Sequence, residues 1–308
     1  MAHSQTSWID HRLQIFGALR YSNYRWFWIN GATQAMAQGM QFLVLGWLVL
    51  DITGSSYQLA LVIFVFGLPN LFFAMLGGII ADRADRLRLL ITTKLAVSLL
   101  IFALAILRIT DLLEVWHVYT VVFLLGTIQA LNMPARMAIV PDLVERHDMM
   151  NAVALHTMVN QTGQMIGPAM AGGIIELVGL GAALFVNAGL FLSVLVFLLL
   201  IRGLPPRSTT GESAMLQDLA AGLRFIWSTP ILYTLIGMTV AFAFFAVSYR
   251  HIMPAFTKEV LAVDAGGTGL LLLAAGLGSL LGSLVLASLG DIRYKARLLM
   301  VSVVLFSV

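Results

Sequence analysis

The segment Gly78-Ile-Ile-Ala-Asp-Arg-Ala-Asp-Arg-Leu-Arg88 joins two long apolar runs, near residues 57–80 and 89–108. A hydrocarbon core about 30 Å thick takes roughly 20 apolar residues as a helix. A helix is required because lipid offers the backbone no hydrogen-bond partners. The segment is therefore predicted to be a short charged loop between two transmembrane helices.

Apolar runs of this kind recur along the whole chain. It has 308 residues, of which 60% are hydrophobic and 11% are charged, with a mean hydropathy of +0.93. Soluble domains carry about 25% charged residues, so this composition excludes a soluble enzyme, a disordered chain and a nucleic-acid-binding domain. We predict an all-α integral membrane protein with spans near residues 27–50, 57–80, 89–108, 115–133, 152–177, 180–201, 231–253 and 266–289, and a ninth run at 298–308.

The segment after the eighth span repeats the charged segment after the second. An offset of 209 residues aligns Asp82 with Asp291 and Arg86 with Lys295. Six helices separate the copies, as expected for duplicated six-helix halves, which are typical of secondary transporters. A short cytoplasmic loop that collects Lys and Arg without duplication is the alternative. Two such halves make about 400 residues, so we expect about 8.5 of 12 helices here and a protein that continues beyond Val308.

Basic residues are distributed unequally between the two sets of alternating loops. One set, which includes the N-terminal segment, holds fifteen of the 18 Lys and Arg residues, and the other holds three. Because cytoplasmic loops carry the excess of Lys and Arg, we predict a cytoplasmic N-terminus in the cell inner (plasma) membrane. The fifteen are Arg12, Arg20, Arg25, Arg83, Arg86, Arg88, Lys94, Arg136, Arg146, Arg202, Arg207, Arg224, Arg293, Lys295 and Arg297, and the three are Arg108, Arg250 and Lys258.

The longest polar segment, 202–230, lies between the sixth and seventh spans. It contains Pro205-Pro206 and then the stretch 212–227, whose apolar residues fall near one face of a helix. Such a composition is typical of a linker between domains. We divide the chain into an N-terminal six-helix bundle (1–201), this cytoplasmic linker with an amphipathic helix, and an incomplete C-terminal bundle (231–308) of helices 7, 8 and part of 9.

Two motifs resemble the major facilitator superfamily of transporters. The pattern Gly-x-x-Ala-Asp-Arg-x-x-Arg over residues 78–86 resembles the superfamily signature between helices 2 and 3. Residues 126–136 (Gly-x-x-Gln-Ala-Leu-Asn-Met-Pro-Ala-Arg) and 141–144 (Pro-Asp-Leu-Val) resemble, more narrowly, the bacterial exporter branch that includes enterobactin exporters and transmembrane secretion effectors. The resemblance covers essentially the whole chain and implies a two-bundle transporter of twelve helices.

The resemblance also implies a gate on the cytoplasmic side of the bundle. In the superfamily the Asp and Arg of the first motif latch one bundle to the other, partly at the start of helix 11, which lies beyond this chain. Asp85 stands in place of the usual Gly, and Leu87 in place of a second basic residue. The matching gate residues are Gly78, Asp82, Arg83, Arg86 and, in the second half, Asp291.

The fifth span carries the pattern Gly163-x-x-x-Gly167-Pro168-x-x-x-Gly172-Gly173. Small residues let helices approach closely, and the proline frees a backbone carbonyl and permits a bend. The pattern resembles the helix 5 motif of exporters in this superfamily, which favours efflux. Close helix packing alone is the alternative, and the two interpretations are compatible.

Polar side chains inside the spans are candidates for contact with a substrate. A spacing of three or four residues places those of each helix on one face, so we expect them to line an aqueous cavity. Hydrogen bonding between helices is the alternative. The candidates are Asn30, Gln34, Gln38 and Gln41 in the first span and His156, Asn160 and Gln164 in the fifth.

Coupling to an ion gradient needs a titratable group that meets both sides of the membrane in turn. Asp51, at the end of the first span, and Glu176, at the end of the fifth, are the candidates, and a solvated helix end is the alternative for each. Arg250 and His251, at the outer end of the seventh span, are placed to meet an anionic substrate, with an ordinary charged loop as the alternative. The helix 4 arginine of many drug/proton antiporters has no clear counterpart, since residues 123–127 carry no charge.

These observations together predict a secondary active transporter that works by alternating access. We expect an ion-gradient-driven exporter of a small molecule (a drug-like compound, a siderophore or a metabolite), with H⁺ as the coupling ion. No nucleotide-binding Gly-Lys, His-Glu-x-x-His or Gly-x-Ser-x-Gly pattern occurs, so no enzymatic activity, metal or cofactor is expected. The expected partners are the substrate and the lipid bilayer, without nucleic acid, for a monomer. A channel, or a non-transporting scaffold or receptor on the same fold, is the alternative.

Overall fold

The computed structural model describes residues 17–83, 85–201, 224–242, 244 and 249–288. Within these ranges the regular structure is helical and contains no strand, so the predicted all-α class is confirmed. Short 3-10 turns lie before the first helix and between the fourth and fifth. The helices are α1 (Ser22–Thr53), α2 (Ser56–Arg83), α3 (Arg86–Ile109), α4 (Val115–Ile139), α5 (Met149–Val178), α6 (Leu180–Leu199), α7 (Pro230–Phe242), α8 (Tyr249–Glu259) and α9 (Ala265–Ser288).

Many of these helices are long and apolar enough to cross a membrane. Five described helices meet both requirements: α1, α3, α6 and the greater parts of α4 and α9. The first half of α2 and most of α7 are equally apolar over shorter lengths. Since a span needs about 20 residues as helix, this arrangement fits a multi-pass membrane protein.

The first six predicted spans each correspond to one of the helices α1–α6. Helices α1–α5 extend past the apolar runs because polar and charged residues continue the helical hydrogen bonding at the membrane ends, most clearly in α4, which reaches Ile139 rather than residue 133. Helix α6 ends two residues before its predicted boundary, at Leu199. The seventh predicted span, 231–253, is described as two helices, and α8 continues to Glu259. Most of the predicted amphipathic linker helix and the whole ninth run lie outside the described residues.

Helices α1–α6 pack side by side with alternating direction, so their ends form two opposite surfaces. At one surface, which we call the near end, the Tyr24 hydroxyl donates to the carbonyl of Ala152 (2.7 Å), joining the starts of α1 and α5. At the opposite surface, the far end, Arg108 at the end of α3 pairs with Asp51 at the end of α1 (2.9 Å). In the centre α1 packs against α5 and α6, while α2 packs on α4 and α3 on α6.

The described part of the second half joins the first six helices at the far end. Pro254 of α8 packs against Gly46 of α1. The Lys258 ammonium donates to the carbonyl of Leu50 (2.9 Å), and the Ser56 hydroxyl donates to the Glu259 carboxylate. Helix α9 packs along α5. Both apolar packing and polar contacts therefore join α8 and α9 to the first six helices.

The charged segment 78–88 forms the tight connection between α2 and α3. Helix α2 continues through Arg83, and Asp85 is the N-cap of α3, accepting hydrogen bonds from the backbone N–H groups of Leu87 (3.0 Å) and Arg88 (3.2 Å). A glycine could not accept these bonds with a side chain. The departure from the superfamily pattern at residue 85 thus has a local structural role, which is to start α3.

Replacing this cap is expected to weaken the start of α3. Asp85→Ala removes both side-chain hydrogen bonds and should lower the free energy of unfolding by about 0.5–2 kcal/mol, measured by thermal unfolding of the purified protein in detergent. Asp85→Asn is the matched control, because Asn caps helices as well as Asp does. An Asp85→Ala protein as stable as the Asn variant would contradict the capping role.

Candidate functional site

Two cavities lie one after the other along α1, and the same three glutamines line both. The near cavity, of about 230 Å³, is enclosed by residues of α1, α4 and α5. The far cavity, of about 280 Å³, is bounded by residues of α1, α2, α3, α4, α5, α6 and α8. The shared residues are Gln38, Gln129 and Gln164.

The three shared glutamines form a partition between the cavities. The Gln38 amide donates to the amide oxygen of Gln129 (3.2 Å), which joins α1 to α4. Gln164 of α5 donates to Asn160 one turn away (2.8 Å). We call these three side chains the glutamine partition. It places hydrogen-bonded amides, rather than a packed apolar layer, at the boundary between the polar near cavity and the mainly apolar far cavity.

The structure brings most of the predicted cavity residues together. Six of the seven line one or both cavities: Gln34, Gln38, Gln41, His156, Asn160 and Gln164. Asn30 does not, because its amide donates to the carbonyl of Val194 in α6 (2.8 Å) and the side chain is buried. Asn30 therefore makes the interhelical hydrogen bond that was the alternative for this group.

Two cations assigned to loops by the charge distribution lie inside the bundle instead. Lys94 is 2% exposed in α3 and lines the far cavity. Arg136 is 6% exposed in α4 and lines the near cavity. The assignment of both to cytoplasmic loops was wrong, because α3 starts at Arg86 and α4 continues to Ile139. A signal was present for Lys94, which falls within the predicted span 89–108.

Phe27 of α1 is the aromatic neighbour of both basic groups in the near cavity. The Arg136 guanidinium lies 5.8 Å from the centre of its ring, and the His156 imidazole stacks on it with centroids 5.5 Å apart. Gly31, one turn further along α1, leaves room for both side chains, since a Cβ there would be 3.3 Å from a nitrogen of each. His156 could be predicted as a cavity residue from its helical spacing, whereas its proximity to Arg136 follows only from the packing of α4 and α5 on α1.

The glycines of the fifth span bring α5 into backbone contact with its neighbours. A Cβ at Gly163 would lie 2.8 Å from the backbone nitrogen of Met36, and one at Gly167 would lie 2.4 Å from the Met36 carbonyl oxygen. Gly172 makes the equivalent contact with Ala265 at the start of α9. Pro168 lies between these contacts and packs on Gly39. The motif therefore sets the spacing of α5 from α1 and from α9.

The predicted coupling residues lie at the far end rather than in the cavities. Asp51 is engaged with Arg108, and the Glu176 carboxylate lies against Gly266 in the first turn of α9. A carboxylate at a helix N-terminus is stabilised by the helix dipole. Neither residue lines either cavity.

Part of the predicted gate can be placed. Gly78, Asp82 and Arg83 belong to α2, and Asp291 lies outside the described residues. Arg86 pairs through a guanidinium nitrogen with Asp142 (3.2 Å). This ion pair ties the start of α3 to the α4–α5 connection, so the two near-end connections are joined.

These features, apolar helices around two cavities that polar side chains line in part, agree with the comparison with known proteins. The family model described as transmembrane secretion effector, of the major facilitator superfamily, matches residues 14–308. The chain belongs to this family. Like other members of the superfamily it is a multi-pass helical membrane protein, as the sequence predicted.

The curated proteins to which this chain is similar include bacterial transporters. The chain is 27% identical to the multidrug efflux pump Tap of Mycolicibacterium fortuitum, over 86% of this chain and 66% of Tap. It is 28% identical to the enterobactin exporter EntS of Citrobacter koseri, over 82% of this chain and 60% of EntS. An uncharacterized MFS-type transporter, YfiS of Bacillus subtilis, is 25% identical over 58% of the chain and 43% of YfiS. The chain thus spans less than two thirds of the length of each of these relatives.

The backbone contact between α5 and α1 can be tested with two alanine substitutions. In Gly167→Ala the new Cβ meets the Met36 carbonyl oxygen at 2.4 Å, so we expect a loss of about 1–3 kcal/mol in unfolding free energy. Gly173→Ala is the matched control on the same helix, because nothing lies within 4 Å of its Cβ position. Equal stability of the two variants in thermal or denaturant unfolding would show that α5 is not held at this distance.

Proposed function

We propose that the complete protein is a secondary active exporter of a small molecule, working by alternating access. The observation that carries the proposal is the pair of cavities in line within a membrane bundle, which meet at the glutamine partition and are both lined in part by polar side chains. A substrate that passes from one cavity to the other crosses the membrane midplane, where transporters of this architecture place their sites. The names of Tap and EntS, an efflux pump and an exporter, support efflux as the direction.

In this mechanism the first six helices form one bundle and the segment from residue 231 onward belongs to the other. Residues 202–230 then link two bundles that rock about the cavities. The polar contacts of α8 with α1 and α2 support reversible closure at the far end, because hydrogen bonds such as Lys258 to Leu50 can be exchanged for water. The near end would close through the gate residues Asp82, Arg83 and Arg86.

The orientation and the energy source are part of the proposal. We infer that the near end is cytoplasmic and that the protein resides in the bacterial inner membrane, since Arg20, Arg86, Arg88 and Arg146 lie at that end. We further propose the proton gradient as the driving force. Asp51 and Glu176 remain candidates for coupling, and His156 is a titratable side chain within the near cavity.

The proposal is tested by transport in energised vesicles that contain the complete gene product. A pump substrate should accumulate in everted membrane vesicles, saturably and at low turnover, and collapse of the proton gradient by a protonophore should abolish accumulation. Non-saturable, gradient-independent flux would indicate a channel. The test compounds are those to which a deletion strain and its parent respond differently. If the protein transports none of them, it is a scaffold or receptor.

The gate is tested by a neutral substitution in α2. We expect Asp82→Asn to lower the initial rate of transport about tenfold, equivalent to about 1.4 kcal/mol, while membrane insertion is unchanged. Asp85→Asn is the control in the same connection, because it keeps the cap of α3 and should transport at the wild-type rate. Wild-type transport by Asp82→Asn would exclude the gating role.

A further inference from the structure

Both cavities are lined by basic side chains, and in the part of the chain that the structure describes no acidic side chain lines either of them. Lys94, Arg250 and His251 line the far cavity. Arg136 and His156 line the near cavity. The basic groups come from α3, α4, α5 and α8, so they are gathered by the fold rather than by one segment of sequence.

Arg136 is the strongest of these groups, because a guanidinium stays charged in proteins. Two of its three side-chain nitrogens, Nε and Nη2, are buried without a hydrogen-bond partner among the described residues. The ring of Phe27 at 5.8 Å offsets part of the charge by a cation–π contact. It supplies no acceptor for the guanidinium N–H groups.

His156 offers a second donor beside Arg136 in the tautomer that carries the ring proton on Nδ1. Its Nδ1 atom is buried and has no partner in the described structure. Nη2 of Arg136 and Nδ1 of His156 each lie 3.3 Å from the same point, the Cβ position above Gly31. The two nitrogens are therefore within twice that distance of each other, close enough to hold one anionic group between them.

Two carboxylates that could have neutralised a cation in the cavities form ion pairs outside them instead. Asp142 pairs with Arg86 at the near end, and Asp51 pairs with Arg108 at the far end. A buried cation is stable when it is paired and hydrogen-bonded. An anionic group that enters the near cavity would supply the partner that its described lining lacks.

We propose that the near cavity binds an anionic group of the transported molecule, held by Arg136 and His156. The inference rests on the proposed export function and specifies its substrate class: organic anions with a carboxylate, sulfonate or phosphate group. Arg136 suits such groups because its planar guanidinium forms paired hydrogen bonds with two oxygens. Lys94 lines the far cavity, beyond the glutamine partition. It is placed to attract the same anionic group once the molecule has left Arg136.

Binding is tested on the purified complete protein, independently of transport. Thermal unfolding in a neutral detergent is followed at constant ionic strength with benzoate, benzenesulfonate or phenyl phosphate, and with benzamide and benzylammonium as neutral and cationic probes of similar size. The three anions should raise the unfolding temperature in a saturable way, and the other two should not. Phosphatidylglycerol, added in a separate arm, distinguishes a lipid headgroup from a soluble anion as the occupant.

Substitutions at the site give a result that a purely structural role would not. Arg136→Gln removes an unpaired buried charge, so the empty protein should unfold at the same or a higher temperature, while apparent affinity for the anions falls at least tenfold. Arg108→Gln is the matched control, because Arg108 pairs with Asp51 outside both cavities and should leave anion binding unchanged. His156→Gln and Arg136→Lys, which keep a donor, should weaken binding to a smaller extent.

Several outcomes would overturn the inference. These are equal stabilisation by the cationic and anionic probes, no stabilisation by any of the three anions, and undiminished anion binding in Arg136→Gln. Stabilisation by phosphatidylglycerol alone would assign the cavity to lipid. Anion binding without transport in vesicles would support the anion site and contradict the export function. Transport without a preference for anions would support the export function and contradict the anion site.

Discussion

The close approach of α5 to α1 is the contact on which the rest of this structure depends. Lipid tails are as apolar as leucine side chains, so helices in a membrane associate through close packing rather than through exclusion of water. Gly163 and Gly167 allow backbone to meet backbone, with less than 3 Å left for an added Cβ. The polar faces of the two helices then flank the contact, with Gln38 on one side and Gln164 on the other. Both cavities lie beside this contact, and Gln38 and Gln164 line each of them.

Two buried cations, Lys94 and Arg136, lower the stability of the bundle. A cation moved from water into a protein interior loses solvation worth several kcal/mol even after relaxation. Lys94 and Arg136 both bear this loss while remaining nearly inaccessible, and both stand on helices that also contribute apolar packing to the core. Apolar side chains of similar volume at these two positions would not bear this cost.

The spans α1–α6 could be predicted from the sequence because length and hydropathy determine them directly. The polar face of α1 was equally readable, since residues 34, 38 and 41 repeat at helical spacing and line the cavities. Asn30 shares that spacing yet binds a backbone carbonyl of α6, because a helical period states which face a residue occupies and not which helix it meets.

Other features depended on information that a linear pattern does not hold. Arg136 lies beyond its apolar run, and its burial follows from the helical continuation of α4 to Ile139. Lys94 lies inside the predicted span 89–108, but its burial was missed because every Lys and Arg was counted as a loop residue. The N-cap at Asp85 was visible only as a departure from a motif, and its role emerged from backbone geometry.

The glutamine partition has a consequence for the electrical integrity of the membrane. Proton relays through membrane proteins are built from Asp, Glu and His side chains, whereas an amide neither gains nor loses a proton near neutral pH. Gln38 and Gln129 hold the junction of the two cavities with a direct bond at 3.2 Å. The boundary between the two cavities is therefore lined by amide side chains, which do not titrate. A proton that crosses from one cavity to the other therefore finds no relay side chain in the glutamine partition itself, and this layer favours retention of the membrane potential.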